Sequence, residues 1–205
     1  MNVQEIFPTQ VGLSVCDIDI ESEIQYLRNL EMVEPSEEVI LSYGYRSENT
    51  SVLDDPQVYR LRNWIIDQLD RYAIEILGYD VNGMGITQSW ITQKASGQTH
   101  IPHKHPNSLI SGVFYFEDHE AAMTFTDERT DRIHVEKRQN APNNQFSIQP
   151  LRYGLVLFPS WLLHGVGKNT GPVRTSLAFN TLPLNGFGDI GDCRNVSYNN
   201  IKGKL

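Results

Sequence analysis

Cysteine is nearly missing from this chain: two occur in 205 residues, Cys16 and Cys193, at opposite ends. That excludes a disulfide framework and gives no cysteine spacing suited to a metal, so reduced thiols in a cytoplasmic protein are expected. Long apolar runs are missing as well. No stretch approaches the roughly 20 apolar residues needed to cross a bilayer. The leading MNVQEIFPTQVGLSV has no basic segment followed by an apolar one, so neither secretion nor a membrane partner is expected. Positive charge is scarce: 17 Lys and Arg stand against 25 Asp and Glu, a net charge of −8. An acidic surface opposes phosphate backbones and disfavours nucleic acid as a partner. Repeats and low-complexity tracts are absent too, which removes solenoids and propellers.

What remains has the composition of a globular protein, with 40% hydrophobic and 20% charged residues in a length that suits one domain. Domains of this size bury roughly 70% of their unfolded surface, so a sizeable core is expected. After an extended lead from Ile6 to Ile20, the apolar positions Ile24, Leu27 and Leu30 predict a helix over Glu21 to Glu31. A loop rich in Ser, Asp and Asn follows. Pro56 to Leu77 then carries Leu61, Trp64, Ile65, Leu69 and Tyr72 at helical period, with Asp55 as N-cap and Gly78 as its stop. From Ile86 the pattern changes to short β-branched and aromatic runs: ITQSWITQ, SLISGVFYF, AMTFT, QFSIQPL, GLVLFPSWLLHGV and RTSLAFNTL. Helices first and strands after predict an α+β fold. Residues 1–85 would be a supporting layer of helices on one sheet, 86–183 an antiparallel sandwich or barrel, and 184–205 a loop-like tail.

The most informative stretch is Gly97-Gln-Thr-His100-Ile-Pro-His103-Lys-His105-Pro-Asn107-Ser108, just ahead of a hydrophobic strand. Side chains alternate along an extended chain, so His103, His105 and Asn107 point one way while His100 falls out of step. A third metal ligand would come from His164, in Phe158-Pro-Ser-Trp-Leu-Leu-His164-Gly-Val. Any one of these taken alone reads better as an ordinary surface histidine. Their joint occurrence, with Arg174 ten residues beyond His164, changes that. Arg174 lies in an otherwise apolar strand, where a buried guanidinium needs a partner. Its planar fork suits a carboxylate, and Ser176 falls on the same strand face. His119 and His134 stand among charged residues and read as solvated.

These residues resemble the double-stranded β-helix oxygenases that use Fe(II) and 2-oxoglutarate, whose motif is His-x-Asp/Glu, a distal His, and an Arg about ten residues later. His164 and Arg174-x-Ser176 match the distal half. The run His103-x-His105-Pro-Asn-Ser-x-x-Ser-Gly-Val-Phe-Tyr115, with Leu157 to His164, is similar to a subgroup found in bacteria and phages. The likeness spans Ser89 to Pro183 and implies a jelly-roll, cupin-like core. It implies iron held by His103, His105 and His164, with 2-oxoglutarate on Arg174 and Ser176, and O₂ as co-substrate. Tyr115 and Asn180 are further cosubstrate candidates, and Trp90, Gln93 and Ser108, at predicted inward positions, are candidates for secondary roles. If the gene is carried by a phage, the compartment would be the host cytoplasm.

The acidic ligand of the motif is absent here, and two registers follow. Either His103 and His105 fill the His and carboxylate places, which is preferred, or His105 is the first histidine and Asn107 stands where the acid would be. Asp118 or Asp127 could also enter the shell. The first function this implies is hydroxylation of a small-molecule or protein substrate. A second is a three-His iron dioxygenase that needs no oxoacid. A third is a non-catalytic or virion-associated β-barrel, since one fold hosts many functions. Substrate choice would rest in loops such as Asp127 to Asn144, with Arg129, Arg132, Lys137 and Arg138, and exposed strand edges leave room for a homodimer.

Overall fold

A computed structural model of the chain describes residues 1–2, 4, 7–33, 35–130, 144–188 and 196. The N-terminal part supplies β1 (Gly12–Val15), α1 (Glu21–Arg28), β2 (Met32–Val33), α2 (Glu37–Tyr43), β3 (Tyr45–Ser47) and α3 (Tyr59–Arg71). The remainder is β4 (Met84–Lys94), β5 (His100–His103), β6 (Ile110–Tyr115), β7 (Met123–Thr126), β8 (Gln145–Ile148), β9 (Gly154–Pro159), β10 (Leu163–Val166) and β11 (Arg174–Pro183). Two antiparallel sheets result, a larger one in the order β1-β9-β6-β11-β4-β3-β2 and a smaller one in the order β5-β10-β7-β8. The fold is an α+β jelly roll, with α1 and α3 on the outer face of the larger sheet.

Period-two alternation makes the layers. On β11, Leu177 and Phe179 face the helices and join Ile91, Phe114, Leu155 and Leu157 against Ile24, Leu27, Leu61, Ile65 and Leu69. Fully burying one such side chain contributes about 1.5–3 kcal/mol. Between the sheets a smaller cluster holds Tyr115, Met123, Phe125, Ile148, Val156, Phe158 and Leu162. Gly112 is opposite Phe179 in the β6–β11 register, and a Cβ there would fall 2.2 Å from the Phe179 ring. The ring lies across the bare backbone, so any larger residue would displace it.

The expected helices form with different ends. α1 stops at Arg28 rather than reaching Glu31. The long helix begins with a 3₁₀ turn over Pro56–Val58, continues as α3 and closes with a π turn over Tyr72–Ile76. The Asp55 side chain accepts from the Gln57 amide at 2.8 Å, as its N-cap position predicts, and Gly78 has φ +72°. The stretch expected as a loop contains α2 and strands β2 and β3, which extend the larger sheet beside β4. Of the tail, Phe187 and Val196 form one antiparallel bridge; residues 189–195 and 197–205, including Cys193, lie outside the described residues. So do His134, Arg132, Lys137 and Arg138 of the 127–144 loop. Among the described residues no helix is long and apolar enough to cross a membrane.

Candidate metal centre

Neighbouring strands of the smaller sheet carry two of the three histidines. His103 on β5 and His164 on β10 are direct register partners. Next along the pair, Val166 is opposite His100, so three residues advance on β5 against two on β10. This bulge cancels the odd spacing that was expected to turn His100 away. The His100 and His103 rings stack instead, 4.5 Å apart and 14° from parallel. Gly165 permits the close approach, because a Cβ there would meet the His100 carbonyl at 2.8 Å. His105 lies beyond the end of β5, held by its amide to the Ser160 carbonyl at 3.0 Å. Asn107 follows in a left-handed turn with φ +61° and reaches the cavity rim. The arrangement brings His103, His105 and His164 together, with one ring nitrogen of each within 4.8 Å of the others.

Each ring is aimed by its other nitrogen. His103 Nδ1 lies 2.9 Å from the Ile101 carbonyl, and His164 Nδ1 lies 2.9 Å from the Leu162 carbonyl. His105 Nδ1 lies 2.6 Å from Asn180 Oδ1. With Nδ1–H donating in all three, the Nε2 lone pairs are free, the tautomer that metal-bound histidine needs. His105 Nε2 and His164 Nε2 are 3.2 Å apart. Two bare acceptors at that distance repel unless a proton or a cation joins them, so the donor set fits a metal ion. Burial favours the neutral rings: it lowers the pKa of His103 and His105 and takes His164 down to about 3. Imidazole suits iron, zinc, copper and nickel alike. Among the described residues no carboxylate lines the cavity. Asp118 accepts from the Arg152 amide and Asp127 pairs with Arg129.

The cavity, about 640 Å³, lies between the two sheets. Its wall on β11 is formed by Arg174, Ser176, Ala178 and Asn180. Arg174 is 4% exposed; among the described residues it bonds only the Ala121 carbonyl, at 3.2 Å, and its buried Nε has no acceptor. The guanidinium sits 5.5 Å over the Tyr115 ring, and Tyr115 Oη meets Met123 Sδ at 3.5 Å. Among the described residues no acid lines the cavity beside Arg174, and Glu117, whose charge acts on it, is engaged by the Thr175 amide and by Arg28, which marks the guanidinium as a seat for an anion. Lys94, its register partner on β4, is a second buried cation that sequence reasoning missed. Its only signal is a period-two position after Trp90 and Thr92. The ammonium donates to the Tyr43 and Thr99 carbonyls at 2.6 and 3.1 Å, and burial, then Arg174, lowers its pKa to about 7. Trp90 lines the cavity; Gln93 and Ser108 do not, and Ser108 instead bonds the Ile110 carbonyl. The mouth, also missed, is shaped by Val33, Pro35, Val39 and Tyr43, with Arg46 and Lys104 beside them.

Residues 88–180 match the model of a family described as "Putative 2OG-Fe(II) oxygenase". No curated protein matches the sequence significantly. Solved structures share the fold. HygX from Streptomyces hygroscopicus, with nickel and 2-oxoglutarate bound, superposes with a TM-score of 0.62 at 13% identity, covering 93% of this chain and 91% of that one. A prolyl hydroxylase from Trichoplax adhaerens, in complex with a hypoxia inducible factor peptide fragment, gives 0.60 at 12% identity over 84% and 83%. An oxidoreductase of the 2OG-Fe(II) oxygenase family from Burkholderia pseudomallei gives 0.53 at 15% identity over 78% and 75%. Family match and fold agree over the same strands: residues 88–180 are similar to the 2OG-Fe(II) oxygenase family, and the solved structures of such oxygenases share the fold.

Proposed function

We propose that the chain is a non-haem oxygenase that binds Fe(II) through His103, His105 and His164 and 2-oxoglutarate through Arg174 and Ser176, and hydroxylates a substrate admitted at the cavity mouth. The observation that carries this is the convergence of three Nε2-directed imidazoles beside a buried Arg174 whose Nε lacks an acceptor, in a cavity without acids among the described residues. When bound, iron and 2-oxoglutarate would supply the oxidising power, turning O₂, the oxoacid and a C–H bond into succinate, CO₂ and an alcohol. The chain's own part is to hold three rings in the Nδ1–H tautomer, to fix one carboxylate with Arg174, and to keep water from the reacting carbon with Trp90, Val113 and Ala178. The mouth admits either a small molecule or a peptide segment; the similar HygX and prolyl hydroxylase structures hold one of each kind. The low cysteine count fits a cytoplasmic enzyme.

The test is succinate formation from 2-oxoglutarate by Fe(II)-loaded protein in air, including turnover uncoupled from substrate. Signal above a His164→Ala control is expected, and none would end the proposal. The missing carboxylate ligand favours one rival, a three-His dioxygenase in which Arg174 holds the substrate's own carboxylate. Oxygen consumption with a thiol or amino acid in the absence of 2-oxoglutarate would favour that rival.

A further inference from the structure

The three histidines are not held alike. His103 and His164 sit on paired strands, and each Nδ1 uses the carbonyl two residues before it, Ile101 and Leu162. That support is built into the backbone. His105 lies outside the strand and takes its Nδ1 partner from a side chain 75 positions away, Asn180 Oδ1 at 2.6 Å. The same oxygen accepts from the Ser111 hydroxyl at 3.0 Å. Ser111 Oγ is 2.8 Å from Ser160 Oγ, and Ser160 Oγ is 2.8 Å from Ser108 Oγ. On the far side Asn180 Nδ2 donates to Gln88 Oε1 at 3.4 Å. A donor on one side and an acceptor on the other fix which end of the amide faces the ring.

We propose that Asn180 is a positioning residue of the metal centre: with Ser111 behind it, it holds His105 in the Nδ1–H tautomer and aims Nε2 at the other two rings. This reassigns Asn180 from the cosubstrate, for which the sequence suggested it, to a ligand. It rests on the three-His reading of the site. Partners of this kind typically change metal affinity 10–100-fold when removed.

The test uses the full chain, metal-free and with Co(II) as probe. ¹⁵N spectra of the metal-free protein report each ring's tautomer, and a Co(II) titration reports affinity. Wild type is expected to carry Nδ1–H on His105. Asn180→Ala is expected to mix tautomers at His105 alone and to weaken Co(II) roughly 10–100-fold. Asn180→Asp, which restores the acceptor, should recover the Nδ1–H tautomer, whereas a purely structural role would give no such rescue. Ser111→Ala should give a smaller loss, and carries the test if Asn180→Ala fails to fold. An unchanged His105 tautomer in Asn180→Ala, or in Ser111→Ala where that variant stands in, would overturn the proposal. Absence of Co(II) binding in wild type would instead strike the metal-site reading, while the metal-free spectra would still decide the role of Asn180.

Discussion

The two faces of β11 are almost equally buried and chemically opposite. Toward the helices, Leu177 and Phe179 are 0% exposed in an apolar core; toward the cavity, Arg174, Ser176 and Asn180 are 4%, 3% and 9% exposed, two of them polar and one charged. Burial of the first set contributes stability through area removed from water. Burial of the second set costs stability, because a guanidinium with an unmatched Nε has lost water without full replacement. One strand therefore separates what folds the protein from what the proposed chemistry uses. Substitutions on alternate residues should separate stability from function.

The largest contrast is expected at the metal-facing side. His164→Ala should abolish 2-oxoglutarate turnover and Fe(II) retention, while in the metal-free protein the lost packing on Phe158 and the lost bond to the Leu162 carbonyl are partly offset by removing a bare acceptor 3.2 Å from another; metal analysis and thermal melting read the two effects. On the opposite face, Phe179→Ala should cost about 3–5 kcal/mol in denaturant unfolding, while the folded fraction keeps its metal affinity. Arg174→Met should weaken 2-oxoglutarate by roughly 1.5–3 kcal/mol, the range of a hydrogen bond to a charged group, seen as a raised KM. The apo melting temperature should hold or rise.

The remaining contrast concerns Lys94 and is read across pH rather than between the two faces. Burial lowers its folded pKa to about 7, against an ordinary value near 10.5. The unfolded chain therefore binds more protons between those values, and the stabilising contribution is full above the ordinary pKa and lost as pH falls toward 7. The slope is at most about 1.4 kcal/mol per pH unit. Lys94→Met should flatten the wild-type rise in stability between pH 7 and the ordinary lysine pKa; an unchanged difference between the two proteins across that window would refute the assignment.

The same alternation explains what could be read from sequence. RTSLAFNTL displays both faces of β11, so its placement and the inward set Arg174, Ser176 and Asn180 were legible, as were the α3 stripe and the Asp55 cap. His164 and Arg174 were legible from their ten-residue separation taken together with the His103 and His105 pair and the resemblance to the oxygenase motif. His100 was misplaced because a bulge adds one residue and reverses the face, and a bulge of this kind depends on Gly165 in the partner strand rather than on β5 itself. The mouth built by β2, α2 and β3 was read as loop, because α2 has only 7 residues and its strands 2 and 3, too short to display a period. Asn180 was placed on the correct face, but its partner lies 75 positions away and only the folded chain joins them.

The central claim is that these three imidazoles and Arg174 form one site for Fe(II) and 2-oxoglutarate together. Anaerobic addition of 2-oxoglutarate to the Fe(II)-loaded protein tests it most directly, by the visible metal-to-ligand charge-transfer band that appears when the oxoacid chelates the metal. A saturable band is predicted in wild type, needing more 2-oxoglutarate in Arg174→Met and absent in His164→Ala. Bound iron with no band at any concentration of 2-oxoglutarate would contradict it.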